Sequence, residues 1–297
     1  MTLINQVNCS IEKILHSLVH RSGILIDVRN LALKTKFELV SDKSKLNAVD
    51  FINLIVKMTA GVPLKMIGRL NVDGSYPIAK VKDLKKSRVI SVGVGRNMIF
   101  DEGVASLGAS VWLYDHTVQP QIKKKFKSKL FFSHIGVRGR KKISNCLTLS
   151  EILERSTNSI SYNQTILKMD CEGAEWDVFL NTNAAILAGI DQINIELHHL
   201  DRIFELAYYK KYMKVLQKLN RKFVVTYIAV NNFTPTVYLN DGLKWPFTIE
   251  IHLLNKSLLH EFKPDFITWG IPNKLSFGKK NWHLAKTENL SGWYDRA

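Results

Sequence analysis

Cysteine is scarce in this chain, and long apolar runs are absent from it. The three cysteines, Cys9, Cys146 and Cys171, are far apart and odd in number. They form neither a disulfide framework nor a CxxC metal pattern, so we predict no structural metal and expect a reducing, cytoplasmic setting. Charged residues interrupt every apolar run well short of about 18 residues, which predicts no transmembrane helix. Residues 1–20 lack a basic leader followed by an apolar block, which argues against a secretory signal.

Acidic residues are also few relative to basic ones. The chain has 42 Lys and Arg against 26 Asp and Glu, for a net charge of +16. The excess is concentrated at 82–88, 123–129, 138–142 and 210–222. Such clusters favour anionic partners, including RNA and other polyanions, although solvated loops and helix faces carry similar clusters. Aromatic residues do not alternate with them in a stacking pattern, so a nucleic-acid partner stays a secondary hypothesis.

Two common phosphate-binding motifs are missing or incomplete. No segment has the G-x-x-x-x-G-K-[ST] pattern of a P-loop. The stretch VISVGVGRN supplies Gly93 and Gly95 of a G-x-G-x-x-G motif, but Met98 stands at the third position, which disfavours a dinucleotide. S-adenosylmethionine needs only one glycine turn and one acid for its ribose hydroxyls. Asp115, which ends the next apolar run, supplies that acid, although a tight turn without a ligand would give the same glycine pattern.

Strand and helix patterns alternate along the centre of the chain. The apolar runs lie at 89–93, 110–114, 129–135, 165–169 and 191–197, and amphipathic helices are predicted at 1–20, 45–60, 148–157 and 201–219. Asn97 is a candidate cap for a further helix that ends near Gly108. This alternation predicts an α/β fold with a doubly wound, mostly parallel sheet. Strand patterns at 223–230 and 247–254 leave no room for a helix between them, which predicts an antiparallel edge.

The chain is divided by these patterns into three parts. We predict a helical N-terminal extension at 1–65, which could be a lid or an interaction arm. A Rossmann-like domain is predicted at 66–260, and an irregular C-terminal arm rich in Trp, Phe, Pro and Lys at 261–297.

The segment TILKMDCEGAEWDVF places Asp170 and Glu172 where a parallel strand should end. Ligands of open α/β sheets bind outside the carboxyl ends of the strands, so both acids should reach the same crevice as the nucleoside. Carboxylates at such a position are costly to bury without a partner or a task. The alternative interpretation is an acidic helix N-terminus that the helix dipole favours.

Several of these segments resemble FkbM-type methyltransferases. LKMDCEGAEWDVF is similar to the family signature LKIDVEGAEWEVL. RLNVDGSYPI, VISVGVGRNMIFDE, VWLYDHTV and QINIELHHL resemble further family segments in the same order, so that the likeness covers about residues 66–255. The chain departs from the family pattern at Ser75, Ser91 and His116. The resemblance implies a class I methyltransferase fold with a seven-stranded sheet, and S-adenosylmethionine as the cofactor.

Roles for individual residues follow from the patterns and the resemblance together. We expect the cofactor to contact Gly93, Gly95, Asn97, Asp115, His116 and Asp170. Asp170 would lie near the transferring methyl group, as the base or as a residue that orients the base, with Glu172 as its partner. The two acids could alternatively hold a divalent cation.

Residues on the fifth predicted strand and on the DGSY loop complete the expected site. Glu196 and His198 alternate along the strand, so they should point to the same face. His198 is a candidate general base, although a structural histidine would fit the same pattern. Asp73 and Tyr76 are candidates for the acceptor pocket together with Glu196, and a plain surface turn is an equally good interpretation of the DGSY loop.

The sequence therefore favours an S-adenosylmethionine-dependent O-methyltransferase. The resemblance implies a glycan or small-molecule hydroxyl as the acceptor, since enzymes of this type modify sugars and polyketides. The basic clusters support an RNA methyltransferase as the alternative. A non-catalytic nucleoside-binding scaffold is the third hypothesis, and the paired acids Asp170 and Glu172 argue against it. The sequence does not define the oligomeric state.

Overall fold

The structure is a computed structural model that describes residues 42–68, 72–79, 83–157, 161–231, 234, 236–238, 244–262 and 268–269. The helices are α1 (Asp42–Lys57), α2 (Ile99–Ser106), α3 (Leu149–Arg155), α4 (Glu175–Asn181), α5 (Ala184–Ala188) and α6 (Leu206–Asn220). The strands are β1 (Ala60–Gly61), β2 (Leu64–Ile67), β3 (Tyr76–Ala79), β4 (Ser87–Val92), β5 (Ser110–Tyr114), β6 (Leu130–Ser133), β7 (Gly136–Val137), β8 (Cys146–Leu147), β9 (Gln164–Met169), β10 (Gln192–Leu197), β11 (Phe223–Val230), β12 (Thr236–Tyr238), β13 (Lys244–Pro246), β14 (Ile249–Asn255) and β15 (Thr268–Trp269).

The main sheet has seven strands in the order β11-β14-β10-β9-β4-β5-β6. Neighbours from β10 to β6 pair in parallel, and β14 pairs antiparallel with both β10 and β11. The predicted fold class is therefore confirmed, including the antiparallel pair at one edge. Helices cross between the parallel strands, as right-handed βαβ connections require.

Both faces of the sheet are buried, which explains why its central strands are continuous apolar runs rather than alternating ones. One face packs on α1, α4 and α6, where Trp176 stacks on Tyr212 with ring centroids 3.9 Å apart and Phe51 lies 6.4 Å from Trp176. The other face packs on α2 through Phe100 and Val104. Helix α1 lies within the predicted extension 1–65 and contributes to the same core cluster as the sheet.

The local predictions differ from the structure at several boundaries. The capping box is confirmed, because the Thr148 hydroxyl accepts from Glu151 N and the Glu151 carboxylate accepts from Thr148 N. The helix for which Asn97 was the candidate cap begins at Ile99, with Met98 at the N-cap position, and the side-chain oxygen of Asn97 accepts from the Ile99 N–H.

The prediction of an α-helix at 201–219 is wrong for the first turn. Residues Leu200–Phe204 form a 3₁₀ helix, and α6 starts at Leu206 after the extended Glu205. The helix predicted at 1–20 lies outside the described residues. Of the predicted arm at 261–297, the structure describes 261–262 and the strand β15, which pairs with β1.

Candidate active site

A cavity of about 310 Å³ lies at the carboxyl ends of the parallel strands. The register places the last residues of β4, β5 and β9, which are Val92, Tyr114 and Met169, side by side at this edge. The cavity is lined by the residues that follow these strands, including Gly93, Asp115 and Asp170, and by the DGSY loop. Its size is within the range of about 300–1,000 Å³ that small-molecule sites have.

The two glycines of the turn after β4 differ in how much space surrounds their Cα atoms. Gly93 has a φ of +72°, and a Cβ there would come within 1.6 Å of the Asp170 carbonyl oxygen. Gly95 has a φ of +60°, but a Cβ there would meet no atom within 4 Å. The absence of a side chain at Gly93 therefore lets the ends of β4 and β9 approach each other. The absence of a side chain at Gly95 leaves free space in the cavity wall.

Asp115 is held in place by its own loop and by the glycine turn. Its Oδ1 accepts from Thr117 N and Thr117 Oγ1, both at 2.7 Å, and from Val118 N at 3.1 Å. Its Oδ2 accepts from Gly95 N at 2.9 Å. Partial burial opposes ionisation of this carboxyl, but these hydrogen bonds outweigh it and lower the pKa of Asp115. A fixed carboxylate thus faces the cavity.

The other residues predicted to bind the cofactor or the acceptor lie around this wall. Asn97 lines the cavity and donates from Nδ2 to the Asp73 carbonyl oxygen at 2.6 Å, which ties the DGSY loop to the glycine turn. His116 is exposed and lies against Gly136, where a Cβ would come within 2.4 Å of its Nδ1. Tyr76 is buried, and its hydroxyl lies 3.5 Å from Asp170 Oδ2. Neither Tyr76 nor Glu196 lines the cavity.

Asp170 is paired with a buried lysine that the sequence analysis missed. Lys168 Nζ donates to the Gly93 carbonyl oxygen at 2.5 Å and lies 3.4 Å from Asp170 Oδ2. Burial would lower the pKa of Lys168, but Asp170 and Asp101 raise it, so the ammonium group is charged. The signal in the sequence that could have identified this residue is the presence of a lysine inside an otherwise apolar strand.

His198 and the acids predicted around it are brought together by the structure. His198 Nε2 lies 3.6 Å from Glu196 Oε1, 3.7 Å from Asp170 Oδ1 and 3.7 Å from Glu172 Oε2. Glu196 and His198 do point to one face, as their alternation indicated. Glu172 has a φ of +53° and a side chain that is 89% exposed, so it forms the open side of this group.

Glu175 is a second residue that the sequence analysis missed. Its carboxylate is fully buried at the start of α4, and Oε1 accepts from the His198 backbone N at 2.8 Å and faces His198 Nδ1 at 2.7 Å. Its Oε2 accepts from Gly173 N at 2.9 Å. Trp176 Nε1 donates to the His198 carbonyl oxygen at 2.8 Å. The histidine is therefore fixed in both backbone and ring.

The acids around His198 alter its titration. Burial alone would lower the pKa of His198, but the hydrogen bond and charge of Glu175, together with Glu196 and Asp170, raise it to about 9. His198 is then an imidazolium at neutral pH, which does not favour the general-base role proposed from the sequence. Burial and the Asp170 carboxylate raise the pKa of Glu196. Burial raises the pKa of Glu250, which pairs across the strands with Glu196, to about 7.

The strand order and the position of this cavity together define a class I methyltransferase fold. Residues 77–223 match the model of the methyltransferase FkbM domain. The chain therefore carries a domain of the FkbM methyltransferase family, as the sequence resemblance implied. No curated protein matches the chain.

Solved structures with a similar arrangement include three from different organisms. A candidate hemolysin from Streptococcus thermophilus is 12% identical with a TM-score of 0.34, over 59% of this chain and 61% of that one. A candidate S-adenosylmethionine-dependent methyltransferase from Listeria monocytogenes is 11% identical with a TM-score of 0.32, over 59% and 93%. The fibrillarin pre-rRNA processing protein of Methanococcus jannaschii is 8% identical with a TM-score of 0.30, over 60% and 70%. This chain thus spans about three fifths of the length of the Streptococcus protein.

Among the residues that the structure describes, no helix has the length and apolar character to span a membrane.

Proposed function

We propose that this protein transfers a methyl group from S-adenosylmethionine to a hydroxyl of a glycan or small-molecule acceptor. The observation that carries the proposal is one cavity with two unlike walls. We call Asp115 and the glycine turn the binding wall, and Asp170 and Glu172 the reacting wall; all of them line the same cavity. A binding wall and a reacting wall in a single cavity are what a bisubstrate transfer requires.

The first wall fits the nucleoside of the donor. Among the described residues, the Asp115 Oδ2 atom has one hydrogen-bond donor, Gly95 N, so it can accept a further bond from a ribose hydroxyl. The open space at Gly95 lets a bulky ligand approach the backbone. When bound, S-adenosylmethionine supplies an electrophilic methyl group on a sulfonium sulfur.

The second wall fits an acceptor that must lose a proton. In the transfer, the acceptor oxygen forms a bond to the methyl carbon, the carbon–sulfur bond breaks, and the hydroxyl proton leaves to a carboxylate. Asp170 is the candidate for that carboxylate because it lies at the strand exit and lines the cavity. Lys168 orients Asp170, since the ammonium group lies 3.4 Å from Oδ2 while it also binds the Gly93 carbonyl.

The alternative of a non-catalytic scaffold is not favoured by this arrangement. A nucleoside pocket without chemistry would need Asp115 and the glycine turn alone. The partly exposed Asp170 and the strained backbone of Glu172 would then have no task.

Two measurements test the proposal. Calorimetric titration of the full chain with S-adenosylmethionine and with NAD, side by side, should give binding of the first only. Transfer from S-adenosylmethionine with a labelled methyl group to glycan, metabolite, lipid and RNA fractions of a cell extract should then label the glycan or metabolite fraction. Absence of S-adenosylmethionine binding would overturn the proposal. Label in RNA alone would replace the acceptor class with the one that the basic clusters favour.

A further inference from the structure

The nitrogen His198 Nε2 faces three carboxylate oxygens without a hydrogen bond to any of them. Its distances to Glu196 Oε1, Asp170 Oδ1 and Glu172 Oε2 are 3.6, 3.7 and 3.7 Å, which exceed hydrogen-bond length. The ligand atoms of Asp170, Glu196 and His198 all lie within 4.8 Å of one another. The ligand atoms of these three residues are therefore close enough to share one ion.

The opposite side of the imidazole is fixed in the way that metal-binding histidines are. Glu175 Oε1 lies 2.7 Å from His198 Nδ1, and it is completely buried. Histidines that bind metals nearly always have a carboxylate partner on one ring nitrogen. The other nitrogen becomes the ligand when the ion displaces its proton, because only the neutral imidazole binds a metal. Nothing in the proposed methyl transfer requires Glu175 for this purpose.

The two carboxylates closest to this nitrogen are also oriented by outer contacts. The Asp170 Oδ2 atom faces Lys168 at 3.4 Å and Tyr76 at 3.5 Å, so that Oδ1 points to His198. The side-chain amide of Asn231 donates to Glu196 Oε1. These contacts hold the oxygens near one point although like charges repel each other there.

We propose that this group binds a divalent cation of the Mg²⁺ and Mn²⁺ class, with His198 Nε2, Asp170 Oδ1 and Glu196 Oε1 as ligands. Ligands about 2.1 Å from a common ion are separated by roughly 3.0–3.5 Å. The distances of 3.6 and 3.7 Å from His198 Nε2 to the two oxygens need only a small contraction, whereas the two carboxylate oxygens, which lie within 4.8 Å of each other, have to approach each other as the ion binds. Two carboxylates and one imidazole suit such hard or borderline ions better than soft ones. Glu172 Oε2 lies 3.7 Å from the same nitrogen, on the exposed side of the group.

The position of the ion determines what it would do. Asp170 and Glu172 also line the cavity, so an ion between them and His198 would lie beside the acceptor wall. There it would bind and polarise the acceptor oxygen as a Lewis acid. This use rests on the proposed function, whereas the binding of the ion does not.

Mn²⁺ binding to the full-length protein tests the proposal directly. Titration followed by electron paramagnetic resonance should show one tight Mn²⁺ site that added Mg²⁺ displaces. Glu196→Gln keeps the shape of the side chain and removes one ligand charge, so it should weaken Mn²⁺ binding at least tenfold. Glu154→Gln removes the charge of an exposed carboxylate on α3 and should leave Mn²⁺ binding unchanged.

Thermal unfolding without metal separates ligation from a structural role. Because Glu196→Gln relieves repulsion with Asp170, the metal-free variant should unfold at the wild-type temperature or above it. Loss of Mn²⁺ binding in a variant of undiminished stability supports the site. Absence of Mn²⁺ binding by the wild type, or equal binding by both variants, overturns it.

The two proposals can fail separately. S-adenosylmethionine titrated into metal-free protein tests the donor wall alone. Mn²⁺ binding without any S-adenosylmethionine binding would leave the metal site standing and remove the methyltransferase proposal, and the reverse result would do the opposite.

Discussion

The Asp115 carboxylate on one wall of the cavity and the Glu196 carboxylate near the other wall have pKa values that are shifted in opposite directions. Asp115 accepts four hydrogen bonds from its own loop and the glycine turn, and its pKa is lowered. Asp170 and Glu172 of the other wall belong to a group of four carboxylates around His198, which itself does not line the cavity, and the pKa of Glu196 is raised. On the first wall, the Asp115 carboxylate is already held in one position for ligand binding. Near the second wall, several carboxylates lie close together and repel each other. A proton, a cation or a positively charged reacting group would reduce that repulsion.

The glycine turn connects the two walls. Gly95 N donates to Asp115, whereas the Gly93 carbonyl oxygen accepts from Lys168, which in turn faces Asp170. A rigid connection of this kind keeps the donor and acceptor positions in register, and such alignment is a large part of what a bisubstrate enzyme supplies. Variants of each wall should therefore affect different kinetic steps.

The largest effect is expected for Asp170→Asn. Loss of the proton acceptor should lower kcat for methyl transfer by about 10³-fold, within the range that general-base groups contribute. S-adenosylmethionine affinity should change less than about threefold, because Asp115 and the glycine turn are intact. Rate assays and calorimetry on the same preparation measure both, and thermal unfolding checks the fold. Turnover at the wild-type rate would remove Asp170 from the mechanism.

The two glycines give the next largest contrast. Gly93→Ala would force a Cβ to within 1.6 Å of the Asp170 carbonyl oxygen, so the free energy of unfolding should fall by about 3 kcal/mol or more. Gly95→Ala has the same positive φ but free space, so it should cost only about 1 kcal/mol. Its effect should be on S-adenosylmethionine binding. Urea denaturation measures the free energy of unfolding of both variants. Equal losses of that free energy would contradict the difference in space described for the two positions.

Part of this contrast could be predicted from the sequence. The central strands are apolar runs buried on both faces, which located them in the sequence, and their alternation with helix patterns predicted a mostly parallel sheet. Gly93, Gly95, Asp115 and Asp170 were found because a glycine turn and strand-end acids have fixed positions in such folds. The capping box at Thr148 was found because its two hydrogen bonds depend on local spacing only.

The remainder depends on contacts between distant segments. Glu175 reaches His198 from another element, and nothing in the sequence around either residue indicates that pairing. Lys168 lies within an apolar run, and nothing in that run indicates that its ammonium group donates to the Gly93 carbonyl oxygen on the neighbouring strand exit. The raised pKa of His198 arises from three acids on three segments, Glu175, Glu196 and Asp170, so the histidine's charge could not be inferred from its strand position.

A smaller effect is expected for Asp115→Asn, which changes the binding wall. The amide cannot accept all four of the present hydrogen bonds and carries no charge, so the Kd for S-adenosylmethionine should rise by about 10–100-fold, or roughly 1.4–2.7 kcal/mol. At saturating S-adenosylmethionine, kcat should stay within about threefold of the wild type. Calorimetry and initial rates measure the two quantities. A fall in kcat as large as that of Asp170→Asn would mean that the walls are not functionally distinct.

The smallest effect is expected for Thr117→Ala, which leaves the Asp115 carboxylate in place and removes one of its donors. The Thr117 hydroxyl donates to Oδ1 at 2.7 Å, and the backbone N–H groups of Thr117 and Val118 remain. One such hydrogen bond contributes about 1 kcal/mol, so S-adenosylmethionine should bind roughly three- to fivefold more weakly. Thr157→Ala is the matched control, because that hydroxyl is also exposed and donates to the Glu154 carbonyl oxygen on α3. If both variants bound the cofactor as the wild type does, the fixed carboxylate would not depend on its hydroxyl donor, and the backbone groups alone would hold it.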